Sequence, residues 1–430
     1  MLSLRGCAPP TGPGFGLRLV HSPTARFPQW ARALDNKGGV EAPGREGSGQ
    51  EGFVGLGRGF GWLRNMVAPS GGTATAEREG HVARLTRVET QERNRAKVLA
   101  AAREEFAERG YRDAKVDRIA ERAELTRGAV YSNFPGKRAL YFAVLADEAE
   151  RAPRPEQHGR TPSEALGAFA RAWLARLPLA GGEPGRLGLE HLPEVITDDR
   201  TRQAFAQLTR LDALLLGLAL EGLDGRRLRM VRAAETALTT LHGASRLAAA
   251  APGFVEPFTV VSACERLTDL DLGDGWPPAH LPYVPDARAV DEPWPAPPVV
   301  DAVRGEATRL DGDGVVAILG LHRLEAAEEA VRALPPGETV TVVLVSGDPG
   351  EFAPLARLTV ADLCGCLRQA FPSAPALRVV HDPAGTVAAA AGVPAVSDVT
   401  ETAIRVRAGR VVARADAHGA CHAAASVQAH

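Results

Sequence analysis

Between Arg95 and Leu145 three helical patterns follow one another with almost no chain to spare, and that spacing leaves few folds open. In Arg95–Gly110, Val98, Leu99, Ala102 and Phe106 recur at helical intervals. Gly110 suits the left-handed position that ends a helix, and Tyr111 follows where it can pack back. Val116, Ile119, Ala120 and Ala123 share one face of a second helix over 116–123. Only Glu124-Leu125 separates it from a third, which Thr126 can N-cap. Two short helices joined by so tight a turn have helix-turn-helix geometry. The second helix of such a unit offers its first residues to the major groove of DNA.

Side-chain chemistry then assigns roles. Arg127, at the exposed start of the third helix, can grip a guanine edge with two hydrogen bonds or clamp a phosphate. Thr126 can cap the helix while its backbone N–H faces a phosphate. Gly128 and Ala129 permit close approach to the DNA backbone or a thymine methyl. Tyr131, Ser132 and Asn133 supply further polar groups, and Lys137 opens the next helix with an ammonium for a neighbouring phosphate. Val130, Phe134 and Leu140 read as core. Residues 84–145 hold 14 Lys/Arg against 9 Asp/Glu, a local +5 in a chain of formal net charge −2. A small basic module on a near-neutral body is what phosphate attraction needs, though many solvated helices are equally basic.

The stretch AAREEFAERGYRDAKVDRIAERAELTRGAVYSNFPGKRALYFAVL resembles the N-terminal domain of the tetracycline-repressor (TetR) family. The resemblance is carried by Ala101, Ala102, Phe106, Gly110, Tyr111, Ile119, Ala120 and Ala123, then Thr126 to Tyr131, Phe134, Lys137 and Leu140. It covers about fifty residues. Two positions depart from the family pattern. Glu124 stands where glycine usually precedes the recognition helix, which is tolerable if φ stays negative or a modest strain is accepted. Ala114-Lys115 stand where Thr or Ser usually caps the second helix, with Asp113 placed to cap one residue early. The resemblance implies an all-helical, dimeric, cytoplasmic regulator that represses transcription until a small molecule binds. Double-stranded DNA with a palindromic operator, a second copy of the chain and an unidentified effector are the implied partners. No catalytic residue, cofactor or metal is implied.

The rest of the chain falls into distinct regions. Residues 1–81 hold 17 of the 45 glycines and no periodic apolar face. They read as a disordered tail, or as an extension ahead of the natural start, for which Val82 and Met66 are candidates. Residues 84–145 are the DNA-binding domain. Residues 155–270 read as helical, for effector binding and dimerisation; the run 203–221 is apolar on most faces and wants a deep core or a partner. Trp173, Phe205, Leu211, Met230 and His242 are pocket candidates there, though each reads more readily as a core residue. Residues 271–298 read as a linker. No apolar stretch reaches membrane-spanning length without interruption.

Residues 299–430 alternate strand-like runs at 315–319, 339–345, 377–380, 403–406 and 410–414 with helical segments, which argues an α/β domain. The expected fold class is therefore multidomain, all-α followed by α/β. The layout of the second part resembles the thioredoxin-like fold in its peroxiredoxin branch. Active members of that fold carry a cysteine at the helix start after the central strand; this chain has Gly320-Leu321-His322-Arg323 there. A cis-proline position is occupied by Glu401-Thr402. That points away from an enzyme. The alternative is redox or metal sensing, or thiol oxidoreduction, through Cys364, Cys366 and Cys421, with His418 and His422 as further ligands. Residues two apart on a helix do not share a face, so at most one of Cys364 and Cys366 is expected to be buried. The alanine-rich tail after His418 reads as frayed.

Overall fold

The computed structural model describes residues 86–152, 157–177, 192–224, 229–274, 284, 286–335 and 337–427. Residues 1–81 and Cys7 lie outside them.

Helix α1 (Arg87–Asp113) starts from a reciprocal cap. The Glu89 N–H donates to the Thr86 hydroxyl at 3.2 Å, and the Thr86 N–H donates to the Glu89 carboxylate at 2.7 Å. At Gly110 (φ 70°) the helix bends, in a conformation that glycine adopts without steric cost. Three helices follow: α2 (Val116–Arg122), α3 (Arg127–Asn133) and α4 (Lys137–Arg151). Val98, Ala102, Phe106, Ile119, Val130, Phe134 and Leu140 are all buried, so the apolar spacing read from the sequence is the spacing of the core. Phe106 meets Tyr141 of α4 edge to face at 5.1 Å and lies beside Tyr111.

Five more helices follow among the described residues: α5 (Pro162–Leu174), α6 (Leu192–Val195), α7 (Asp199–Glu221), α8 (Val231–Ala250) and α9 (Pro257–Leu267). Side chains of Thr161, Asp198 and Glu256 cap α5, α7 and α9. Helix α7 is buried around most of its girth, with Leu208, Leu211, Leu214, Leu215 and Leu216 inside, as its all-round apolarity requires.

The remainder is mixed α/β. In order it forms β1 (Arg288–Pro293), β2 (Pro298–Asp301), β3 (Glu306–Arg309), β4 (Gly314–Gly320), α10 (Ala326–Ala333), β5 (Thr339–Val345), α11 (Pro349–Ala370), β6 (Leu377–His381), α12 (Thr386–Ala390), β7 (Glu401–Arg407), β8 (Arg410–Asp416) and α13 (Ala420–Ala425). The main sheet runs β1-β8-β7-β4-β5-β6, with β2 and β3 paired separately. Strands β4, β5 and β6 are parallel; β7, β8 and β1 pair antiparallel. All of β4 is buried. Ala317 and Leu319 face one core and Val316 and Ile318 another, which is why the strand reads as an unbroken apolar run.

Helix α11 decides the architecture. It packs on β5 and β6 on one side and on α4, α5 and α7 on the other, so the helices and one face of the sheet share a single core. Ion pairs cross the same boundary: Arg138–Glu351 at 2.6 Å, Arg200–Asp398 at 2.6 Å, Arg357–Glu150 at 2.8 Å, and Arg176–Asp362. Three expectations are corrected here. Both Cys364 and Cys366 are buried, because a helix covered on two sides has no single inward face. The stretch read as a linker supplies edge strand β1. The tail after His418 is not frayed through Ala425, because the small side chains of α13 let it lie close on β7, β8 and α10.

Candidate nucleic-acid interface

The turn before α3 is closed by the Leu125 N–H donating to the Ala120 carbonyl at 3.0 Å. It holds Glu124 at φ 56°, a left-handed conformation that costs a side-chain-bearing residue energy. The negative-φ option is thus not taken, and the strain is carried by the surrounding packing. The Glu124–Lys97 contact at 3.4 Å is largely exposed and weak compensation. Glu124→Gly is therefore expected to stabilise the fold by about 1 kcal/mol. Urea unfolding checks this; a variant less stable than the parent would show that the Lys97 pair outweighs the strain.

Asp113 does not cap α2. Lys115 is the capping residue, without a side-chain bond to the helix. Its backbone N–H donates instead to Glu105 of α1 at 3.3 Å. That carboxylate is buried and is flanked by Arg109 (3.4 Å) and Arg122 (3.5 Å). A neighbouring helix thus holds the capping residue in place without capping α2, and no signal in the sequence of α2 could have shown it.

Thr126 caps α3 by accepting from the Ala129 N–H at 3.1 Å. Val130 and Phe134 turn inward, while Arg127, Gly128, Tyr131 and Ser132 face solvent and Ala129 is half-buried. The Arg127 guanidinium lies 5.5 Å from the Tyr131 ring centre and 3.3 Å from Asp117. Both ends of that ion pair are more than half exposed, so it is a weak restraint. Ser132 and Asn133 donate to the Ala129 carbonyl at 2.8 and 2.9 Å.

Lys137 is differently placed from the other candidates. Its ammonium donates to the Arg112 and Ala114 carbonyls, both at 3.1 Å, and stands 4.7 Å from the Tyr111 ring centre. Burial holds its pKa below the usual lysine value. It ties α4 to the end of α1. Arg87, Arg93 and Lys115, assigned no role from the sequence, are exposed and form no ion pair among the described residues. The charge count of the module was the one signal that could have found them.

Elsewhere the pocket candidates sit in the helical core. Trp173, Leu211 and Met230 are buried, and His242 meets Trp173 and Phe205 edge-on at 4.9 and 6.2 Å. Beside them Asp212 is buried, with one carboxylate oxygen unbonded. Burial, reinforced by Asp362, raises its pKa well above the usual value. The native state therefore keeps a proton that the unfolded chain releases near pH 4, so this group makes stability fall as pH rises above that point. Asp212→Asn is expected to flatten the pH dependence and to be the more stable form at pH 8. Urea midpoints from pH 5 to 9 test this, and parallel profiles for the two proteins would refute it.

Cys366 and Cys421 lack the surroundings of nucleophiles. Burial pushes Cys366 up to about 12, and burial together with Glu401 and Glu329 raises Cys421. Reactive cysteines need the opposite shift. Arg323, near the position where a thiol is missing, pairs with Glu401 at 2.6 Å and Glu325 at 2.9 Å. Among the described residues no group of three or more His, Cys, Asp or Glu is placed to hold a metal ion, and no helix is long and apolar enough to cross a membrane.

Comparison with known proteins supports the reading of the module. Residues 98–144 match the model of the bacterial regulatory proteins, tetR family. The transcriptional regulator SrpR of Pseudomonas putida is 46% identical over 65 residues, which are 15% of this chain and 30% of that protein. The transcriptional activator FasR of Mycolicibacterium smegmatis is 42% identical over 77 residues, 16% of this chain and 35% of its own. The repressor AcnR of Corynebacterium efficiens is 38% identical over 58 residues, 14% and 31%. The chain thus spans only about a third of the length of these curated relatives. A TetR regulator from Rhodococcus sp. RHA1 aligns with 44% of this chain and 99% of its own, at 21% identity and a TM-score of 0.27, too low to carry an argument. Residues 98–144 lie in an N-terminal helix-turn-helix domain of the tetR family, which is followed by further helices and a mixed α/β part.

Proposed function

We propose that the chain is a sequence-specific DNA-binding transcription regulator, an effector-responsive repressor working as a homodimer in the cytoplasm, and not an enzyme. The observation that carries this is the outward face of α3, where Arg127 and Tyr131 are exposed above a buried Val130 and Phe134. Thr126, Gly128, Ala129, Ser132 and Asn133 complete the contact surface with DNA. In this reading Lys137 supports the module from behind, its ammonium already engaged by two carbonyls. Repression is the proposed sign of control; among the relatives, FasR is an activator and AcnR a repressor.

Pairing of two copies is supported by an exposed apolar patch at the end of α8 and the start of α9. Leu247, Phe254 and Phe258 are 44%, 72% and 57% exposed there, more apolar surface than an isolated helix pair favours. Two copies related by a two-fold axis read a palindrome. The α/β part is proposed to be a thioredoxin-like scaffold without its nucleophile. The order β8-β7-β4-β5-β6, parallel in β4 to β6 and antiparallel beyond, supports that reading.

DNase footprinting on the DNA flanking the chain's own gene tests the proposal, with Arg127→Ala as control. A protected palindrome that disappears in the variant is the expected outcome. Protection that is indifferent to sequence and unchanged in the variant would overturn it.

A further inference from the structure

A cleft of about 800 Å³ opens where α11, the end of β6 and the β2–β3 ladder meet the last turn of α4. Much of its wall is apolar, built from Pro298, Val299, Val360, Ala384 and Val387. It lies at the carboxyl end of a parallel strand, the place where open α/β sheets bind ligands. A smaller hollow at the end of β5 shares His381, Asp382 and Pro383 with it.

The polar groups on the wall divide into two kinds. Arg304 is engaged through both terminal nitrogens by Asp301 and by the Pro375 and Leu377 carbonyls, at 2.7, 2.7 and 3.2 Å. Asp382 accepts from the Thr386 and Ala388 N–H groups at 2.8 and 2.9 Å, so its charge serves α12. Three cleft groups keep free capacity. Arg357 offers one nitrogen to the two oxygens of Glu150, at 2.8 and 2.9 Å, and its other nitrogens bond nothing among the described residues. Arg368 donates to the Val303 carbonyl at 3.0 Å, but its Nε is buried without a partner. The His381 ring makes no hydrogen bond among the described residues. Burial, with the nearby Arg357 charge, holds its pKa down at about 4, so the ring is neutral. Donors in excess of acceptors, set in an apolar wall, suit an amphipathic anion.

We propose that this cleft binds a small apolar molecule bearing a carboxylate or sulfonate, and that the bound anion replaces Glu150 on Arg357. Glu150 sits in the last turn of α4, the helix that packs directly on α1 and on α11. Exchange breaks the ion pair that ties this turn to α11. The start of α11 meanwhile sits against Pro135, in the turn between α3 and α4, where a Cβ on Gly350 would stand 3.4 Å from the proline ring. Loosening α11 on α4 therefore reaches the reading head. This second step rests on the reading of the chain as a DNA-binding regulator; binding in the cleft does not.

The test uses the full chain and 8-anilinonaphthalene-1-sulfonate, whose fluorescence rises in apolar sites, with octanoate as a silent competitor. Wild type is expected to bind the probe and to release it to octanoate. Arg357→Met keeps the apolar stem and loses the charge, and is expected to weaken the probe by roughly tenfold. Glu150→Gln removes the internal competitor and is expected to tighten binding, a change of opposite sign that adventitious apolar binding does not produce. Probe binding that octanoate does not displace, or that both variants leave unchanged, overturns the proposal. Octanoate is also expected to lower DNA affinity in wild type and not in Arg357→Met; equal DNA affinity with and without octanoate overturns the coupling to the reading head. A chain that binds the probe as described and binds no DNA upholds the cleft and refutes the regulator reading.

Discussion

Replacing Phe106 by alanine is expected to destabilise the protein by about 3–5 kcal/mol, the range for emptying a large aromatic site in a packed core. Phe106 is fully buried, meets Tyr141 edge to face at 5.1 Å and stacks near Tyr111 at 6.3 Å. Tyr111 in turn touches Tyr141 at 5.1 Å and lies under the Lys137 ammonium. Loss of the ring removes one corner of a three-ring cluster that fastens α1 to α4, and the rings around it cannot all collapse into the void. Because α4 also packs on α11, the damage is not confined to the reading head. The urea midpoint followed by far-ultraviolet dichroism should fall in a single transition, since the helices and one sheet face share a core. A loss below about 1 kcal/mol, or a separate early transition of the first four helices, would show that this cluster does not join the two parts.

Arg127→Ala is expected to weaken binding to the specific operator by roughly tenfold to a hundredfold, the value of one good bidentate base contact. Affinity for unrelated DNA should change far less, because phosphate attraction is shared among many cations, including the exposed Arg87, Arg93 and Lys115. The side chain is available for this work. Its contact with Asp117 is exposed on both sides, and the Tyr131 ring at 5.5 Å steers it without burying it. Fluorescence anisotropy with operator and scrambled duplexes, at two salt concentrations, separates the two contributions. An equal loss on both duplexes, with a shallower salt dependence, would make Arg127 a phosphate contact rather than a reader of bases.

The helix-turn-helix was legible because its determinants are local. The spacing of Val98, Ala102 and Phe106, the stop at Gly110 and the cap at Thr126 each act within a turn or two of chain. Strands β4 and β5 were legible for a related reason, since a strand buried on both faces is a short apolar run whatever covers it. The outward set on α3 was readable from the same periodicity. The capacity of the candidate side chains was not: Ser132 and Asn133 are engaged by a carbonyl of α3, and Lys137, at the start of α4, by two carbonyls at the end of α1.

What the sequence determined by itself was thus the helices of the first module, the five central strands and the inner and outer faces of the first three helices, because propensity, capping and periodicity are properties of neighbouring residues. Only the tertiary structure decided that Glu105 takes the N–H at the start of α2, that α11 is enclosed on two sides with both Cys364 and Cys366 inside, and that Glu150 meets Arg357. Those outcomes depend on groups up to about two hundred residues apart in the chain. Such contacts form where the summed burial of whole faces places them, and the helix that carries a residue holds no trace of its distant partner.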